Sequence, residues 1–114
     1  MTKATVDAGI CGFTALIEVI RLSSQRVSIT VTSDCEMVSK MGEELTDIDW
    51  PDGLNQREDC PLYKSLQQHI KHVACPVPIA ILKAIEVEVG AALPRDVVIR
   101  FETASPRTTD QAVN

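Results

Sequence analysis

Val27, Ile29 and Val31 alternate with Ser28, Thr30 and Thr32. A side-chain period of two belongs to a strand with one face in a core and the other in water. No other stretch of the chain commits so firmly to one conformation. Residues 13–22, just upstream, are β-branched and apolar, and Ser23-Ser24 separates the two runs. Together they read as an antiparallel hairpin. Residues 3–9 supply a further short strand, ended by Gly9-Ile10-Cys11-Gly12. Two glycines around a cysteine suit a tight turn or bulge.

The period changes at Ser33-Asp34-Cys35. Met37, Val38, Met41 and Leu45 fall at helical spacing, with Ser33 or Asp34 placed as N-cap. Residues 46–59, TDIDWPDGLNQRED, read as an acidic loop that carries the sole tryptophan. Pro61 opens a second helix, with Leu62, Leu66, Ile70 and Val73 on one stripe. Pro76 opens a third, with Ile81, Leu82, Ile85 and Val89 inward and Lys83 and Glu86 outward, and Gly90 ends it. Val97, Ile99 and Phe101 then resume the period of two and predict a last strand that returns to the sheet. The order β-β-β-α-α-α-β implies an α+β two-layer sandwich, a mainly antiparallel sheet with the helices on one face. One such domain over residues 1–103 is expected, followed by a polar tail at 104–114 that reads as flexible. Val27, Ile29, Val31, Ile81, Leu82, Ile85, Val97, Ile99 and Phe101 are the expected core.

Charge and composition remove several function classes. A net charge of -5 with scattered Lys and Arg opposes nucleic-acid binding, and 4% aromatic content leaves no platform for stacking bases. No apolar run is long enough to span a bilayer, and the first residues lack the pattern of a secretory signal. A cytoplasmic protein with reduced thiols is expected, so the four cysteines are not read as two structural disulfides. Phosphate loops, GxSxG and HExxH are absent. Asp47, Asp49, Asp52 and Asp59 lack the spacing of a calcium loop and read as solvated.

The cysteines remain. Cys60 and Cys75 each stand directly before a proline, and Cys35 stands where the first helix begins. Proline suits the first turn of a helix and pushes its predecessor out of helical geometry. Cys35, Cys60 and Cys75 are therefore expected as N-caps, where unpaired N–H groups and the helix dipole favour thiolate. Cys11 joins them if the helix starts gather at one edge of the sheet. Each cysteine alone also suits a small buried apolar residue. Together, Cys11, Cys35, Cys60 and Cys75, with His72, form a candidate metal set for zinc or an iron–sulfur cluster. Between successive cysteines stand 23, 24 and 14 residues, with no CxxC knuckle. His69 and His72 equally suit a helix C-terminus or solvent.

The elements VDAGICGF, VTSDC and HVACPVPIAILKAIEVE resemble a family of small uncharacterised prokaryotic proteins, a domain of unknown function, over about residues 4–102. The chain is more loosely similar to the TSCPD cysteine domain, where a cysteine closes a strand and a Cys-Pro opens a helix. Ser33-Asp34-Cys35 and Ala74-Cys75-Pro76 carry that likeness, although Val-Ala-Cys-Pro-Val stands where that domain has Thr-Ser-Cys-Pro-Asp. The likeness implies thiol or metal chemistry. Three readings follow, in order. The first is a metal or iron–sulfur protein. The second is a non-catalytic interaction module with packed cysteines, a homodimer or the binder of another protein. The third is a thiol-redox or sulfur-handling protein using Cys35 and Cys75 as nucleophile and resolving pair. No residue is assigned as catalytic.

Overall fold

The computed structural model describes residues 1–54 and 60–104, except the side chains of Asp52 and Gly53. Strands β1 (Thr2–Asp7), β2 (Thr14–Arg21) and β3 (Arg26–Ser33) form an antiparallel meander. Its register sets Ile17 between Ala4 and Val31, and Val19 between Thr2 and Ile29. One face therefore collects Ala15, Ile17, Val19, Val27 and Ile29, all buried, with Val31 half-buried. A one-residue slip would turn that whole set to water, which is why the alternation fixes the register.

Four helices follow: α1 (Glu36–Glu43), the short α2 (Trp50–Leu54), α3 (Pro61–His69) and α4 (Val77–Glu88). Helix α1 packs on β3, and α4 crosses β1 and β2. Helix α3 touches α1, α2 and α4. The expected α+β architecture, helices against a four-stranded antiparallel sheet, is the one observed. Val77, Ile81, Ala84 and Ile85 of α4 close the core, joined by Val38, Met41, Leu62 and Leu66. Each of the larger ones, Val, Leu, Ile or Met, contributes about 1.5–3 kcal/mol when fully buried.

Several local expectations are corrected. The stretch 46–59 is not all loop. Asp47 turns the chain in the left-handed region (φ 59°), its carboxylate accepting from Arg26 Nε at 2.7 Å. The next two residues form β4 (Ile48–Asp49) against β3, and α2 follows. Asp59 and the side chain of Asp52 lie outside the described residues. The second long helix stops at His69 with Ile70 as C-cap, and Val73 stands 88% exposed in the turn beyond. Cys75 is not the N-cap of α4: Pro76 is, and Pro78 occupies the first turn. The chain has prolines at both 76 and 78, either able to open a helix, and the second fits the first turn here.

The largest correction is at the end. Residues 93–103 carry no strand, and Val97, Ile99 and Phe101 are exposed rather than core. Alternation reports which side chains could share a face; a strand also needs a neighbour to bond with. The tail beyond 104 lies outside the described residues.

Candidate functional site

The sheet has two ends, and its register says what sits at each. At one end are Thr2, Arg21 and the turn into β3. At the other, Asp7 pairs with Thr14 and Ala15 with Ser33. The β1–β2 turn, which carries Cys11, and the exit of β3, which leads to Cys35, therefore share an end. Ser33 knits that junction: its Oγ donates to the Thr14 carbonyl at 2.8 Å and accepts the Cys35 N–H at 3.1 Å.

Helix α4 brings the third cysteine there. Its last residue, Glu88, is bound at the far end, accepting from Thr2 Oγ1 at 2.7 Å and from the Arg21 backbone N–H at 2.9 Å. Twelve helical residues span about 18 Å, close to the roughly 17 Å of strand between Thr2 and Asp7. With its C-terminus held beside Thr2, α4 starts at the Asp7 end, and Cys75 lies just before it. The electrostatics agree. Burial pushes the Cys75 thiol up, the Val77 backbone N–H pulls it down, and the charges of Cys35 and Cys11 push it up further. Cys75 thus lies within electrostatic reach of the other two.

They differ in setting. Cys75 is buried at 8% exposure. Cys35 is half-buried as N-cap of α1, with no side-chain capping bond. Cys11 is exposed on a turn that rests on two glycines in the left-handed region, Gly9 and Gly12, and on the bonds Gly12 N–H to Gly9 O and Ala8 N–H to Phe13 O. Cys60 is the N-cap of α3, as expected, and its Sγ accepts the Tyr63 N–H at 3.4 Å. A nine-residue helix about 13 Å long separates it from the turn that leads to Cys75. His72 is exposed within that turn, its carbonyl accepting the Cys75 N–H. His69 points elsewhere, its Nε2 2.8 Å from Glu44 Oε2.

The topology brings Cys11, Cys35 and Cys75 to one end of the sheet, which is less than sulfurs close enough to share a ligand or form a bridge. Among the described residues, no three His, Cys, Asp or Glu side chains stand arranged to hold a metal ion. The four cysteines are thiols with no bridge between them. Sequence reasoning gave Ser33 only as a possible N-cap and gave Glu88 no role, since what each bonds to is set by packing.

Residues 2–101 match a family described as a family of unknown function (DUF6951), and the chain belongs to it. No curated protein and no solved structure matches the chain.

Proposed function

We propose that this member of a family without a stated activity holds a soft metal ion at Cys11, Cys35 and Cys75. The supporting observation is that three elements distant in sequence bring a thiol each to one end of the sheet. Thiolate suits soft and borderline cations, zinc above all. Three sulfurs leave one tetrahedral position, and His72, in the same turn as Cys75, is the residue for it. A Cys3His set is zinc chemistry, whereas an iron–sulfur cluster ordinarily asks for a fourth cysteine. Cys60 is a helix length away.

Ligation draws the sulfurs to within about 3.5–4 Å of one another, as zinc–sulfur bonds near about 2.3 Å require. Cys11 is the side chain able to travel, because its turn is exposed and hinged on glycines. The setting of Cys75 favours this reading over thiol exchange. A buried thiol with a raised pKa offers little thiolate for attack, and an adjacent cation reverses that by stabilising the ionised form.

Elemental analysis of protein purified without oxygen tests the proposal. One zinc per chain is expected, lost in Cys11→Ser and Cys35→Ser, weakened in His72→Ala and retained in Cys60→Ser. Uptake should release about three protons per ion at neutral pH, so affinity rises with pH. Metal-free protein that also takes up no Zn(II) or Co(II), or equal loss of metal in Cys60→Ser, overturns it.

A further inference from the structure

We propose that residues 95–100 of one copy of this chain form a strand on the open β1 edge of a second copy, with the exchange reciprocal. The unused groups are matched. Strand β1 ends the sheet, and among the described residues no backbone–backbone hydrogen bond reaches it from outside the sheet. Past Arg95, no backbone–backbone hydrogen bond joins residues 96–103 to any described residue. Within the segment Val97 is 61% exposed and Ile99 74%, and Phe101 just beyond it is 91% exposed. A contiguous exposed apolar run marks an interaction surface, and an unpaired edge is a template for a strand.

Direction and register follow from the fold. Helix α4 returns the chain to the Thr2 end of the sheet, so a segment laid from there along β1 runs parallel to it. Ala4 and Val6 face the core side of β1, which requires Val97 and Ile99 opposite them. In that register Arg95 lies by Thr2, Asp96 by Lys3 and Arg100 by Asp7. Both charged pairs are opposite in sign. Shifting by two residues to set Val97 by Thr2 instead brings Glu102 against Asp7, and facing like charges disfavour it. The occupant is a second copy because the segment leaves its own sheet bare. Trading segments between two copies satisfies both edges at once with the contacts one chain would make alone, across a short connection containing Gly90 and Pro94.

Light scattering of the eluting full chain from micromolar to high-micromolar concentration tests this. A dimer is expected, and Ile99→Asp should make it monomeric with its helical circular dichroism signal and thermal unfolding transition retained, since Ile99 stands outside the core of its own copy. Lys3→Glu should weaken the dimer about tenfold, each pair occurring twice, and Asp96→Lys in the same chain should restore it. A monomeric wild type overturns the proposal. Protection of amides 95–100 in that monomer would mean the segment closes on its own sheet. A dimer indifferent to Ile99→Asp overturns it as well.

Discussion

At Trp50 two effects oppose each other. The ring is half-buried against the core, with the Arg21 guanidinium carbon 5.9 Å from its centroid. Its Nε1, however, is buried with no acceptor among the described residues. A buried donor left unpaired costs about 1–3 kcal/mol, whereas phenylalanine in place of tryptophan gives up only part of the ring's area, about 1 kcal/mol. Trp50→Phe is therefore expected to leave stability unchanged or raise it. Urea unfolding followed by circular dichroism reads the outcome, since the substitution removes the sole tryptophan as a fluorescence probe. A loss of about 2 kcal/mol or more would show that the indole N–H has a partner. No sequence pattern announces such an atom, because the partner of a polar group is a property of packing.

Helix α1 comes close to β3 at Gly42. A methyl group at Gly42 would lie 2.8 Å from Val31 Cβ. That neighbour is a branched carbon rooted in the sheet, so it has little room to give. Gly42→Ala would gain up to about 1 kcal/mol of helix propensity; the overpacking costs about 1–3 kcal/mol. The clash wins, and a lower thermal midpoint is expected. A higher midpoint would mean that α1 can lift from the sheet. The elements themselves were legible in very different degrees. The first three strands follow from period and β-branched composition, which are local, whereas Ser33 or Asp34 as N-cap of α1 was wrong: the cap is Cys35, with no side-chain capping bond. The other placement, Cys35 at that cap and Cys60 at the cap of α3, was readable from local signals too. Cys75 missed by one residue because two nearby prolines are equivalent locally. The stretch 97–101 has a strand's alternation and no partner in its own sheet, a fact that lies outside any single segment. That Cys11, Cys35 and Cys75 share an end of the sheet was readable only as a condition, since it depends on where α4 is pinned.

That pin holds for the whole molecule. Glu88 joins the end of α4 to the first two strands by hydrogen bonds. Its carboxyl is held below the ordinary range, first by the Thr2 hydroxyl and then by the Arg21 N–H, both of which donate to the ionised form. A carboxyl depressed in the folded state makes the unfolded chain bind the proton more readily. The stability it confers is thus complete above the ordinary glutamate pKa and disappears as pH falls through the lower folded value. Glu88→Gln removes this contribution, because the amide cannot ionise and can accept only through one oxygen. The variant should be less stable at neutral pH, and the gap to wild type should narrow steadily on acidification below the usual carboxylate range. Chemical denaturation of both proteins across that range measures the gap directly. A constant difference down to strongly acidic pH would show that Glu88 acts by shape rather than charge. A neutral-pH loss accompanied by weaker metal retention would show that the far end of α4 also sets the position of Cys75.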